Sequence, residues 1–189
     1  SGPEPISSTL TWIAAPETTN TVSLVDRSSG AWRTGEPHDV QVVVGNDGPS
    51  GEYGPVVVQI PVTAAIELMA ADGDGWACGV TTRGVDADDP EVTRTVECTY
   101  ARRRTDYGQP VLDAGETLPP IDMTLVPAAD GEATQAVRVM GVTDDVAHRS
   151  ALPVQVGRSA AMSIDVAAPE VAYLGEDMVV TVTVTNDGP

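Results

Sequence analysis

Cys78 and Cys98 are the two cysteines of a 189-residue chain, 20 positions apart. A pair of thiols can do redox chemistry, hold a metal ion or bond to each other. Thiol redox sites favour the spacing Cys-x-x-Cys, which is absent. A zinc site needs further Cys or His ligands. The two histidines, His38 and His148, lie at no ligand-like spacing from the cysteines. Each cysteine instead follows by two positions a residue of strand type, Trp76 and Val96. In an exported chain the expectation is a disulfide joining neighbouring strands, with Trp76 packed in the core beside it. Closing a loop of about 20 residues stabilises a fold by roughly 3 kcal/mol on the chain-entropy account.

The carboxylates are the other groups with chemical reach. They gather at Asp72/Asp74, Asp86/Asp88/Asp89/Glu91, Asp144/Asp145 and Glu176/Asp177. Calcium takes six to eight oxygens, and Asp72-Gly73-Asp74-Gly75 opens like a calcium loop. The glutamate that closes an EF-hand loop is missing, because position 83 is Arg83. Asp72, Asp74, Asp144 and Asp145 are therefore the Ca²⁺ candidates, with Asp144/Asp145 foremost; solvated turns are the competing reading. No other cofactor is expected. For catalysis there is no GxSxG, HExxH, P-loop or dinucleotide-binding glycine pattern. His38 and His148 are expected at the surface rather than as bases. A carboxylate pair for glycoside hydrolysis lacks any pocket-building element, so the chain is read as a non-enzyme. A glycan site would use exposed aromatics, for which the candidates are Trp12, Trp32, Tyr53, Tyr100 and Tyr107. Arg102-Arg103-Arg104, the basic cluster, fits a charged guard on a strand edge or loop.

Composition narrows the partners. Ten basic residues against 28 acidic ones give a net charge of −18, which repels nucleic acid and anionic lipid. No apolar run is long enough to span a membrane, and no signal-peptide pattern opens the sequence. All ten basic residues are arginine, as in the coding bias of a GC-rich genome. Lysine is absent, which removes Schiff-base chemistry and the Lys–Asn or Lys–Asp isopeptide staples of some bacterial surface domains. Phenylalanine is absent too. The core must come from Val, Ile, Leu and Ala, the first two being residues a pleated sheet favours.

These groups must be positioned by strands. Asn20–Asp26 and Asp39–Gly45 alternate apolar and polar residues, Gly54–Val62 is a second apolar run, and Ile66–Ala70, Trp76–Val80, Val92–Tyr100, Thr117–Val126, Ala133–Val142, Val154–Val166 and Asp177–Thr185 supply the further strands. Fifteen prolines and 18 glycines punctuate them, and no helical window competes. Pro127–Glu132 reads as a hairpin connection. Short strands at this spacing predict an antiparallel β-sandwich.

The chain also repeats itself. Gly35–Pro49 (GEPHDVQVVVGNDGP) and Gly175–Pro189 (GEDMVVTVTVTNDGP) share Gly-Glu, the alternating valines and Asn-Asp-Gly-Pro at an offset of 140. Ser23/Ser163 and Leu24/Ile164 fit the same offset. The expected organisation is a lead-in over 1–19 with a short strand near Thr9–Ala14, a complete repeat over 20–153, and the opening of a second, truncated repeat over 154–189.

The complete repeat resembles the conserved-repeat domain of bacterial surface proteins, domain of unknown function eleven. The resemblance runs through Asn46-Asp47-Gly48-Pro49, Ile60-Pro61, Gly75-Trp76-Ala77-Cys78, Val96-Glu97-Cys98, Ala114-Gly115-Glu116-Thr117 and Gly141-Val142-Thr143-Asp144-Asp145, in that order. Asp86 to Pro90 lengthens the segment between the cysteines. The resemblance implies an immunoglobulin-like sandwich, exported and arrayed on a bacterial cell surface or envelope, and it brings no activity. The expected role is a spacer, stalk or adhesion element whose partners are neighbouring repeats. The alternative is a module binding glycan, protein or Ca²⁺ through its loops. The unpaired C-terminal strands are expected to dock on the first sandwich or to self-associate.

Overall fold

The computed structural model describes residues 17–81, 92–100, 109–144, 146–158, 160, 162–171, 174–175 and 177–186. The short strand expected at Thr9–Ala14 lies outside them. Eleven strands are present among the described residues: β1 (Asn20–Asp26), β2 (His38–Asn46), β3 (Val56–Thr63), β4 (Ile66–Asp72), β5 (Trp76–Thr81), β6 (Val92–Tyr100), β7 (Ile121–Pro127), β8 (Gly131–Met140), β9 (His148–Val156), β10 (Met162–Ala167) and β11 (Thr181–Asn186).

Nine of them form two antiparallel sheets, ordered β1-β2-β7-β4 and β5-β6-β3-β8-β9, while β10 and β11 pair only with each other. Strand alternation explains the layering. In β3 every second residue, Val56, Val58, Ile60 and Val62, is buried. Across the interior β2 contributes Val40, Val42 and Val44, and β7 contributes Ile121, Met123 and Leu125. Val137 and Val139 of β8 complete the same core. It is an aliphatic core without phenylalanine, as the composition requires.

The order is that of an immunoglobulin-like sandwich. Strands β1, β2, β7 and β4 take the A-B-E-D places, and β3, β8 and β9 take C-F-G. The β5–β6 hairpin lies between D and E in sequence and extends the second sheet beyond C. Cys78 and Cys98 belong to this added hairpin.

Two expectations change. Pro127–Glu132 is not a hairpin turn: β7 pairs with β2 and β4, while β8 pairs with β3 and β9. Both strands bury their alternate apolar residues, so they face each other from opposite layers and the connection crosses between sheets. Val154, Gln155 and Val156, expected at the opening of the second repeat, instead pair with Ala133, Glu132 and Gly131 as the end of β9.

The β10–β11 hairpin reproduces β1–β2. In the first pair Val22 lies opposite Val44 and Leu24 opposite Val42. In the second Ile164 lies opposite Val184 and Val166 opposite Val182. Since β11 follows β2 by 140, Val22 and Leu24 correspond to Ile164 and Val166, which follow them by 142. The loop between the strands is two residues shorter in the second copy, which corrects the pairing of Leu24 with Ile164. A slip of two keeps every side chain on its face. Gly35 (φ 77°) and Gly175 (φ 91°) make the same left-handed turn before the second strand, where a side chain would be strained. The hairpin joins neither sheet, so the tail does not add strands to its own sandwich. Ile164, Val166, Val182 and Val184 are all exposed.

Candidate functional site

At one pole of the sandwich, where β1 and β9 begin, a buried polar knot ties four segments together. Glu52 is fully buried. Its carboxylate accepts the backbone N–H of Gly54 (3.0 Å) and of Thr143 (2.9 Å), and the side-chain amide of Asn20 (3.1 Å). Burial alone pushes this carboxyl up; the hydrogen bonds from Gly54, Thr143 and Asn20 outweigh it and hold the group below its ordinary value. Next to it Asp144, also buried, accepts the backbone N–H of Asn20 through Oδ2 (2.8 Å) and of Val146 through Oδ1 (3.1 Å). His148 Nε2 lies 2.9 Å from Asp144 Oδ2. Gly141 leaves room for this knot: a Cβ there would stand 2.0 Å from Glu52 Oε2 and 2.4 Å from Asn20 Nδ2.

The Asn-Asp-Gly-Pro turn is part of the same pole and does more than reverse the chain. Asn46 is buried, and its amide donates to the Ser50 carbonyl (2.8 Å). Its Oδ1 accepts the N–H of Gly48 (3.0 Å) and of Thr19 (3.3 Å). Asp47 N–H donates to the Thr19 carbonyl and Ser50 N–H to the Glu17 carbonyl. Thr18 donates its hydroxyl to Gly51 O. Residues 17–19 are thus laid against the turn, so closely that a Cβ on Gly48 would meet Thr19 N at 2.5 Å. The turn is a cradle for the chain arriving at β1.

At the opposite pole Trp32 stacks on His38, ring centroids 4.4 Å apart and planes 5° from parallel. The indole N–H donates to Asp26 Oδ2 (2.7 Å), and His38 Nε2 accepts the N–H of Arg33 (3.3 Å). The chain leaving β9 is held here. Gly157 forms a parallel bridge with Arg33, donates its N–H to Trp32 O (2.8 Å) and accepts from Thr34 N (3.0 Å). Arg33 donates to Arg158 O (3.3 Å), and Arg158 pairs with Asp130 at 2.9 Å.

On the side of the sandwich, Cys78 and Cys98 sit opposite each other in the β5–β6 ladder and form a disulfide. Trp76, two residues before Cys78, is buried and donates its indole N–H to Pro119 O (2.7 Å). Arg94 of β6 donates to Leu68 O of β4 (3.0 Å), bridging the two sheets. A recess of about 390 Å³ opens there between β4 and β5, with Met69 and Val80 exposed on its rim.

The remaining sequence candidates scatter. Trp32, a candidate on the expectation of an exposed aromatic, is instead buried and donates its N–H to Asp26. His38 is buried rather than at the surface, because the stacked indole covers it. His148 is half-buried at the start of β9. Tyr100 is half-buried and tilted against Trp76 at 5.2 Å, whereas Tyr53 is exposed. Trp12, Tyr107, Asp145, Arg102-Arg103-Arg104 and the Asp86 to Pro90 insertion lie outside the described residues. Asp72 and Asp74 are exposed in and beside the turn before β5, and the structure does not gather them with Asp144, which is buried in the knot. Sequence reasoning picks out Asp144 of this knot, as a Ca²⁺ candidate, but misses Glu52, which stands in a polar loop with no periodicity to mark it.

The sequence matches no family model and no curated protein. Among solved structures it is similar to a cohesin module from a family 33 glycoside hydrolase of Clostridium perfringens, at 10% identity and a TM-score of 0.46, covering 75% of this chain and 100% of that one. It is similar also to an uncharacterised immunoglobulin-like protein from Nocardia farcinica, at 14% identity and a TM-score of 0.44, covering 71% and 97%. A third is the major pilin SpaD of Corynebacterium diphtheriae, at 6% identity and a TM-score of 0.46, covering 77% of this chain and 35% of the pilin.

Proposed function

We propose that this chain is a non-catalytic structural module of an exported bacterial surface protein, a complete repeat followed by the opening of the next, serving as a spacer or stalk. One observation carries the reading. The β10–β11 hairpin restates β1–β2 in register, in its left-handed glycine and in its Asn-Asp-Gly-Pro ending. A chain that begins the same unit again is built as an array, in which each unit adds length and presents its surface repeatedly. The Cys78–Cys98 bond fits an oxidising compartment outside the cytosol. The ordered resemblance to the conserved repeat of bacterial surface proteins points the same way. Net charge of −18 suits a soluble, mutually repelling module.

The test is localisation and redox state in the source cells. An antibody to the sandwich should label intact cells, the epitope should be lost on protease shaving, and alkylation before reduction should find both cysteines oxidised. Signal confined to the cytosol with free thiols would overturn the proposal.

A further inference from the structure

We infer that the open side of the sandwich, between β4 and β5, is a groove for an extended polypeptide segment with alternating small apolar side chains and a basic residue. The groove is made by the added hairpin. One sheet has five strands and the facing sheet four. Arg94 of β6 reaches Leu68 O of β4, so β6 faces β4 and β5 lies beyond, with no strand opposite it among the described residues. Along β5 the cover runs out: Trp76 is buried, Cys78 half-buried and Val80 58% exposed. Leu68, Met69 and Ala71 of β4 and Val96 of β6 line the recess with them. The overhanging strand is still held firmly, by the Trp76 bond to Pro119 O and by the Cys78–Cys98 disulfide. A site shaped before its ligand arrives loses little to ordering on binding.

The backbone of β5 sets the kind of ligand. The Cα atoms of Cys78 and Cys98 are 3.9 Å apart, the closer of the two spacings in an antiparallel ladder, at which facing residues exchange no backbone bonds. Trp76, in the same phase, gives its N–H to Gly73 O and not to Tyr100 opposite. The N–H and C=O groups of Cys78 and Val80 therefore point away from β6, to an edge where no described strand pairs. Two other sheet edges are guarded, β9 by Pro153 and β4 by a bulge between Leu68 and Ala70. Trp76–Thr81 carries neither proline nor charge, and a Cβ on Gly79 would meet open space. A free edge over an apolar recess takes an added strand, whose backbone bonds the edge while alternate side chains enter the recess.

Size and charge choose the occupant. The recess of about 390 Å³ holds a few side chains, well short of the face on which two copies would form a stable dimer. Glu67 is exposed at its mouth and meets no cation among the described residues. With the whole chain at −18, the segment that fits carries an arginine or lysine opposite that carboxylate.

Amide NMR titration of the full chain tests this, with a peptide matched to β5 in length, six residues, that alternates threonine and valine and carries one arginine. Binding should shift the amides of Cys78 and Val80 and slow their hydrogen exchange. Val80→Asp should weaken it about tenfold or more. Glu67→Arg should turn the preference to the same peptide with glutamate in place of arginine; Glu67 is exposed, so this variant should melt with the native chain. N-methylation of alternate peptide bonds should abolish binding in one phase and leave it in the other, because only one set of donors meets β5. No shift at millimolar peptide, shifts centred elsewhere, or binding indifferent to methylation in both phases would overturn the groove. Exchange protection at Cys78 and Val80 that grows with protein concentration, without peptide, would put a second copy there and overturn the assigned occupant.

Discussion

Glu52 accepts the backbone N–H of Thr143 at 2.9 Å, across 91 residues of chain. The contact fixes the segment after β8 to the loop before β3, inside a core where water does not compete. Replacing Glu52 by Gln puts an N–H₂ where donors already point, so an unpaired donor is buried. The expected loss is about 3 kcal/mol in urea unfolding.

The same carboxylate makes stability depend on pH. Its folded value lies below the ordinary 4.5. Between the two values the unfolded chain binds more protons, so stability there rises with pH. The contribution is complete above pH 4.5 and drains away as pH falls through the depressed folded value. Unfolding curves at descending pH should show the native chain losing its advantage over Glu52→Gln within that acidic window. A constant difference between the two would contradict the role assigned to Glu52.

Removing the disulfide by Cys78→Ala with Cys98→Ala should cost about 3 kcal/mol, a drop of about 6–12 °C in Tm. The sandwich should still fold, because the bond lies in the added β5–β6 hairpin and not between the two sheets. Calorimetry with and without reductant on the native chain checks both the drop and the surviving transition.

Two glycine substitutions should differ sharply. Gly141→Ala drives a Cβ to within 2.0 Å of Glu52 Oε2 and should destabilise by about 3 kcal/mol or prevent folding. Gly79→Ala meets nothing within 4 Å and should change stability by less than about 1 kcal/mol, in the favourable direction. Chemical denaturation of the pair separates crowding from backbone effects.

Calcium should leave the first sandwich unmoved at the Asp144 position, since both carboxylate oxygens there already bind backbone N–H groups and one also meets His148. Melting scans with millimolar Ca²⁺ and with EDTA should coincide to within about 1 °C. A rise of several degrees with Ca²⁺ would mean that the cation reorganises the knot.

The hairpin face should be adhesive when uncovered. Ile164 is 67% exposed and Val184 54%, whereas their counterparts in the first hairpin pack on the core. Sedimentation velocity should show association growing with concentration, and Ile164→Asp with Val182→Asp should abolish it while leaving the melting of the first sandwich unchanged.

The strands were legible because burial on one face writes itself into alternate residues, as in Val56, Val58, Ile60 and Val62. The disulfide was legible because the two cysteines each follow a strand-type residue at the same interval. What alternation does not encode is which layer a strand joins. Strands β7 and β8 would read alike whether paired side by side or stacked face to face, and the hairpin assigned to Pro127–Glu132 failed for that reason. Polar burial was equally invisible. His38 and Glu52 are ordinary polar letters in sequence, and only the stacked Trp32 and the converging N–H groups make them interior residues.

The chain enters the sandwich at the Asp144 pole and leaves it at the Trp32 pole, with β1 and β9 both running from the one pole to the other. A pull on the two ends therefore acts along the strands. To give way, β1 must slide past β2 and β9 past β8, so the ladder bonds of each pair are strained together instead of opening one at a time. Such a unit is loaded in shear, the direction in which a β-sheet resists tension best. Tension on the two ends would therefore meet both ladders of bonds at once.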